Sequence, residues 1–361
     1  MASDAAKLHG GQAADVGVRL RSERVEGSTV ERGVRIRPLT PADLDPLRWV
    51  IYRAYYETLI ELYGPDSASQ YEVRSLDFMR LYLRRDSAGS FVAETEDGSL
   101  AGGLFCFVWG EVGWFGSLAV APELQGRGIA QRLTLEAIDY LRARGCRRVG
   151  LETWPTAERT RHLYTKLGFL PGRATIKLSR QLQAHSPSPS RMTWVRAGEP
   201  EALAAALDDV ASITHAIHAS HGETEPAADY RSEVSVPVSS GFAELGVLRH
   251  AGNEPKAFAL TFIRKPSGAA VGALDVRLML VAPQDDETTL EEVLGALESR
   301  AAQIGARSVT CDVNLRYSRA ATLLRQRGFH PIYELIRMEL PTDGFDPTAR
   351  SQSLEYARWA G

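Results

Sequence analysis

Apolar and polar positions first alternate at Val34, where VRIRPL reads as a strand closed by a proline. Residues 1–33 before it carry neither a helical nor a strand period and are expected to form a disordered tail. Thr40 as N-cap and Pro41 in the first turn then open a helix through LRWVIYRAYYETLIELYG. A second helix is expected over about Tyr71 to Arg84, followed by three strands, SFVAETE, LAGGLFCFVWG and VGWFGSLAVAP. The next helix runs from about Gly128 to Arg144. Its Ile129, Leu133, Ala137, Ile138 and Leu141 share one side, and Gly145 ends it. A strand RRVGLETW, a helix ERTRHLYTKLG and strands over about Phe169 to Leu182 complete the series. This succession predicts an α/β sheet domain over residues 34–182.

The Pro/Ser stretch from Gln183 to Arg191 reads as a linker, and the pattern starts again behind it. VAP at Val120–Pro122 recurs at Val281–Pro283. Gly145 matches Gly305, Glu152 matches Asp312, Leu163 matches Leu323, and Gly168-Phe169 matches Gly328-Phe329, all at a spacing of 160. Coincidences held in register mean a tandem duplication. Residues 192–340 are therefore expected to repeat the first fold, with a polar C-terminal tail over 341–361.

Composition narrows the function classes. A net charge of −3 over 361 residues leaves no basic excess for nucleic acid or an anionic membrane surface. No run of 18 apolar residues is present, and the N-terminus lacks the apolar core of a signal peptide, so a soluble, cytoplasmic protein is expected. Cys106, Cys146 and Cys311 lie far apart and form neither a zinc spacing nor a disulfide framework. His215, His218 and His221 recur every three residues on a helix, but the first and last drift apart around the axis. A polar helix end is the simpler reading, and no metal is expected.

The sharpest chemical signal is Gln125-Gly126-Arg127-Gly128-Ile129-Ala130, between a strand and a helix. Two glycines let a ligand approach the backbone, the helix start offers unpaired N–H groups, and Arg127 adds charge; the combination suits a pyrophosphate. Preceded by Leu118-Ala119-Val120-Ala121-Pro122, it resembles the acetyl-CoA signature of the GCN5-related N-acetyltransferase (GNAT) superfamily. His162-Leu163-Tyr164-Thr165-Lys166-Leu167-Gly168-Phe169 is similar to that family's late helix. The resemblance implies two tandem domains. Each is a mixed, mostly antiparallel sheet whose central parallel strands splay around the pantetheine arm, flanked by helices. Here the splayed strands would hold Leu118–Val120 and Val149–Trp154.

The resemblance further implies acyl transfer to an amine, with acetyl-CoA or another acyl-CoA as co-substrate. A base must take the ammonium proton and an acid must meet the leaving thiolate. Glu152, a carboxylate in mid-strand, is the candidate base; a structural salt bridge to Arg148 or Arg161 is the alternative, with Glu111 and Glu94 as other bases. Tyr164, twelve residues on, holds the place of the family's thiolate acid. Tyr55, Tyr56 and Trp114 are the candidates to line the acceptor pocket.

In the second half the loop position reads Asp285-Asp286-Glu287-Thr288-Thr289-Leu290, without glycine, and Leu324 replaces Tyr164. One working cofactor site is expected, in the first half. That order resembles the bleomycin-type antibiotic N-acetyltransferases rather than mycothiol synthase, and implies a small-molecule or natural-product acceptor. Acylation of a peptide or protein amine with a longer chain, or a non-catalytic acyl-CoA sensor, are the rival functions. A homodimer is left open.

Overall fold

The computed structural model describes residues 33–361 apart from 70, 183–190, 222–225, 251, 265–271, 284–285, 342–349, 352–353 and 358–361. The N-terminal tail, nearly all of the linker and Asp285 thus lie outside the described residues. The first half runs β1 (Val34–Pro38), a 3-10 turn (Pro41–Asp43), α1 (Leu44–Tyr63), short α2 (Pro65–Ala68), α3 (Leu76–Arg85), β2 (Ser90–Thr95), β3 (Leu100–Trp109), β4 (Val112–Val120), α4 (Ile129–Ala143), β5 (Arg148–Thr153), α5 (Glu158–Lys166) and β6 (Leu170–Gln181). The second half runs β7 (Thr193–Val195), α6 (Pro200–His221), α7 (Arg231–Ser239), β8 (Ala243–Arg249), β9 (Pro255–Arg264), β10 (Ala273–Val281), α8 (Asp286–Gln303), β11 (Ser308–Asn314), α9 (Ser318–Gln326), β12 (His330–Leu340) and β13 (Leu354–Ala357).

Local chemistry sets the boundaries. Thr40 and Asp43 cap one another: Thr40 N and Oγ1 donate to Asp43 Oδ2 at 2.8 and 2.7 Å, while Arg37 grips both Asp43 oxygens. The second long helix starts at Leu76, not Tyr71, because Ser75 Oγ accepts from Phe78 N and takes up a first-turn donor. On α4 the predicted stripe Ile129, Leu133, Ala137, Ile138 and Leu141 is buried.

All described strands belong to one 13-stranded sheet, with the order β1-β2-β3-β4-β5-β12-β6-β11-β10-β9-β8-β7 and β13 beside β10. Each half is mostly antiparallel with one parallel pair, β4–β5 and β10–β11. The halves exchange strands β6 and β12. A single strand, β6, follows α5, where the sequence suggested more than one. β5 is completed by β12 from the second half, and β11 by β6 from the first. The linker therefore separates the halves along the chain but not within the sheet.

Helices cover both faces. One face carries a single core shared by both halves, built from α1, α3, α6 and α7. The other face carries two cores, one under α4 and α5 and one under α8 and α9. The region expected to be a polar C-terminal tail instead returns as β13, antiparallel to β10 from Leu278↔Ala357 to Val281↔Leu354. Its Glu355 is buried and accepts from Tyr230 Oη at 3.1 Å.

Candidate active site

A bulge in β4 creates the site. Gly103 faces Ala119 and Phe105 faces Gly116, so Ser117 and Leu118 together oppose Leu104. Ser117 adopts φ +53°, the left-handed region that a serine rarely occupies, and is held there by Arg74 donating to its Oγ at 2.5 Å. β4 pairs with β5 only from Val112↔Arg148 to Trp114↔Gly150. Beyond that the strands part, with Leu118, Ala119 and Val120 along one edge and Leu151 to Thr153 along the other.

The cleft leads to the glycine loop. Gly126 and Gly128 both have φ +79°, and a Cβ on either would meet nothing within 4 Å, so space over the loop is open. Gly128 is the N-cap of α4, no side chain caps that helix, and its first turn holds no acid. The helix start therefore offers its donors and its positive dipole end outward. Gln125 Nε2 ties the loop to Val120 O at 3.2 Å, and Arg127 is exposed at the rim. Ile129 packs inward and Ala130 is half-buried.

Tyr164, on α5, is buried against Phe115 and Phe169, with ring centroids 6.1 and 5.7 Å away. Burial pushes its hydroxyl pKa well up, and the Tyr55 hydroxyl adds to the rise, so the phenol stays protonated. α1 lies on the opposite face of the sheet from α5, so Tyr55 and Tyr164 approach each other through the parted strands. Tyr55 also stands edge-on to Trp154 at 5.5 Å and lies beneath the Arg74 guanidinium at 5.8 Å. Tyr56 sits one step outward, half-buried against Tyr52 at 5.6 Å.

Glu152 faces the shared core, on the same side of β5 as Gly150. Its side chain is wholly buried, although the residue is only half-buried, so the exposed part is backbone at the cleft. Oε1 accepts from Arg337 at 2.9 and 3.2 Å and from Thr175 Oγ1, while Oε2 has no hydrogen-bond partner. The ion pair is thus real but joins neither expected partner: Arg161 donates to Pro155 O and Arg148 faces Glu339. Trp114, expected on the acceptor wall, is completely buried under Arg337, 5.2 Å from its ring centroid. Gly150 makes this fit, since a Cβ there would come within 2.2 Å of the indole.

Glu94 and Glu111 lie away from the cleft. Glu94 holds Arg35 and Arg37 at the β1–β2 edge. Glu111 bonds Arg147 and Ala227 N at the paired end of β4, opposite the bulge. His221 bonds Ser351 at 2.8 Å, and among the described residues no group of three or more His, Cys, Asp or Glu gathers as a metal site. No described helix is long and apolar enough to cross a membrane.

The model of the acetyltransferase (GNAT) family matches residues 52–169, a span that takes in the bulge, the loop, Glu152 and Tyr164. Within the first half, this span is similar to the GNAT family. Over 57 residues it is 37% identical to N-alpha-acetyltransferase 30 of Schizosaccharomyces pombe, a stretch covering 16% of this chain and 38% of that protein. The chain thus spans little more than a third of that relative.

Solved structures extend the likeness to the whole molecule. A putative acetyltransferase from Pyrococcus horikoshii matches with TM-score 0.59 and 17% identity over 91% of this chain and 96% of its own. A tandem GNAT protein from the clavulanic acid biosynthesis pathway matches with TM-score 0.54 and 15% identity over 86% of this chain and all of its own. At such identities the likeness concerns the fold alone. It makes this chain two GNAT-like domains in tandem, as its internal repeat predicts.

The sequence did not point to Ser117, Arg74, Thr175, Trp154 or Arg337 as residues of the GNAT site. The aromatic content of α1 was visible, but nothing in the pattern marked a serine for a left-handed bulge.

Proposed function

We propose that this chain is an acyl-CoA-dependent N-acyltransferase, most simply an acetyltransferase, with its working site in the first half. One observation carries the reading: the open β4–β5 cleft runs from an uncapped, sterically open double-glycine loop to a protonated tyrosine. The residues fit an acyl-CoA. Gly126 to Ala130 and Arg127 would hold its pyrophosphate, and the free backbone edges at Leu118–Val120 and Leu151–Thr153 would pair with its amide-bearing arm. Acyl-CoA supplies the activated acyl group as a thioester. Tyr164 Oη gives a proton to the leaving sulfur, and Glu152 takes the proton of the incoming ammonium; because its unpartnered Oε2 is shut from solvent, the proton reaches it by relay rather than by direct contact. Tyr55, with Trp154 and Tyr56 beside it, positions the acceptor at the opposite mouth.

A second reading of Glu152 has its own support. Asp312, its counterpart, pairs at 3.0 Å with Lys177, which also holds Asp275 at 2.6 Å, in the half without a glycine loop. On that reading the carboxylate is a latch for the exchanged strand. Glu152→Gln separates the two: a base loses about 10²-fold or more in turnover with acyl-CoA affinity little changed, whereas a latch loses thermal stability and keeps its turnover.

The acceptor is proposed to be the amine of a small molecule or natural product, in the cytoplasm, in keeping with the tandem GNAT protein of the clavulanic acid pathway. A peptide amine is the rival, in keeping with the N-alpha-acetyltransferase relative. Measuring CoA release from acetyl-CoA across a panel of small amines and N-terminal peptides decides between them. Binding of acetyl-CoA without turnover on any amine would leave a sensor instead.

A further inference from the structure

The second half places Arg337 against the proposed base and Asn314 one step behind it, through Thr175. β12 aligns Arg337 with Glu152, and the guanidinium donates twice to Oε1, at 2.9 and 3.2 Å. Both side chains are shut from solvent, at 3% and 0% exposure. The guanidinium sits over the Trp114 ring, 5.2 Å from its centroid, and the indole packs directly on Gly150. Thr175 Oγ1 supplies the other contact to Oε1, and its direction is also set from the second half. Asn314 Nδ2 donates to Thr175 Oγ1 at 2.9 Å and to Arg173 O at 2.9 Å, which leaves the hydroxyl proton for Glu152. Oε1 is fully engaged, and Oε2 is the oxygen left over.

We propose that Arg337, contributed by the second half, is the positioning residue of Glu152, so that the first half's active site is complete only with β12 of the other half in place. The inference rests on the reading of Glu152 as the base. A glutamate has three rotatable bonds, and pinning one oxygen with a rigid fork fixes where the other points. Other charges face the same spot: Arg148 from β5, Glu339 from β12, and Tyr317 at the start of α9, with Arg316 and Glu355 behind it. Burial alone would pull Arg337 down, but Glu152, Glu339 and Tyr317 more than offset that, and the guanidinium stays charged.

The molecule contains its own control. Lys177 stands to Asp312 as Arg337 stands to Glu152, aligned on neighbouring strands, but beside a half with no glycine loop and no tyrosine acid. Both pairs lock an exchanged strand; only one adjoins an open cleft.

The test compares Arg337→Met, Arg337→Lys, Lys177→Met, Thr175→Val and Glu152→Gln in the full chain with acetyl-CoA and the best amine of the panel. Melting temperature, kcat, both KM values and the pH–rate profile are measured for each. Arg337→Met is expected to lower kcat at least tenfold with KM for acetyl-CoA within about threefold. Arg337→Lys should restore most of the turnover. Lys177→Met should lower the melting temperature by a similar amount with kcat within twofold of wild type. Equal kcat in Arg337→Met and Lys177→Met would overturn the proposal and leave both cations as latches. If Arg337→Met does not fold, Thr175→Val decides: a fivefold fall in kcat is expected, and wild-type kcat and pH profile overturn it. Wild-type turnover in Glu152→Gln removes the base and this inference together; impaired Glu152→Gln beside a normal Arg337→Met removes this inference alone.

Discussion

Between β4 and β5 the sheet opens and is left open; between β10 and β11 it opens and the chain fills it. The opening itself is common to both. The register of β4 breaks at Ser117 and that of β10 at Arg277, 160 residues on, and each parallel pair ends three or four residues after it begins. In the second half β13 then pairs with Leu278 to Val281, the stretch that corresponds to Leu118–Val120. A parted strand leaves a row of unpaired backbone groups, which must be satisfied by something. One half meets that demand with its own β13, and the other leaves the edge open. The helix starts differ in the same sense. α4 begins at a bare glycine, whereas α8 carries Glu287 in its first turn, tied to Arg319 at 2.9 Å. Acids at that end satisfy the helix dipole and repel a phosphate.

The largest expected effect tests the loop. Gly128→Val puts a β-branched residue at φ +79° in the cradle, and should weaken acetyl-CoA binding at least 10²-fold in calorimetric titration, with the fold intact by circular dichroism. The corresponding Thr288→Val should leave affinity unchanged, and wild type should bind one acetyl-CoA per chain. A stoichiometry of two would break the contrast between the halves. A stoichiometry of one that survives Gly128→Val would put the site in the wrong half.

The next effect tests the acid. Tyr164→Phe keeps the ring packed against Phe115 and Phe169 and removes only the hydroxyl, so turnover should fall roughly 10²-fold with affinity for acetyl-CoA within a few fold. Its counterpart Leu324 is fully buried, and Leu324→Ala should cost about 2–5 kcal/mol of stability while leaving kcat per folded molecule alone. Comparable loss of kcat in both variants would mean that both halves take part in the chemistry.

How far the sequence revealed this contrast depends on the range of the interactions involved. Helices with a period and a cap were legible: the stripe on α4 and the Thr40–Pro41 start of the first helical region both stand as read. So was the place of the glycine loop between a strand and a helix, since its pattern lies in six consecutive residues. The strand exchange was not legible, because β6 and β12 each carry an ordinary strand pattern, and nothing local says which strand lies alongside. That is why a salt bridge for Glu152 was foreseen with a near neighbour, Arg148 or Arg161, and is made with a residue 185 positions away. Trp114 failed for the same reason: its burial comes from Arg337 and the shared core, neither of which is visible from β4. β13 was hidden in a segment read as a polar tail, four residues long and without a core of its own. It earns its order only from the edge it covers.

That last point carries the smallest of the expected effects. Deleting residues 350–361 removes β13 and exposes the edge of β10 from Leu278 to Val281, while β10 keeps its ladder with β9. It also removes Glu355, leaving the buried Tyr230 hydroxyl without that acceptor, and Ser351, whose N–H donates to Arg316 O. A few ladder bonds and one buried acceptor at about 0.5–1.5 kcal/mol each come to about 2–4 kcal/mol of stability, read as a lower urea midpoint. A peptide of residues 350–361 added in excess should restore the midpoint and a scrambled peptide should not, since strand addition is specific to register and side chains. Acetyl-CoA stoichiometry should stay at one, because opening the cleft supplies no glycines to the start of α8. An unchanged midpoint would mean that the strand is not seated. A second acetyl-CoA bound by the truncated chain would mean that the second half is occluded by its own C-terminus rather than degenerate at its loop.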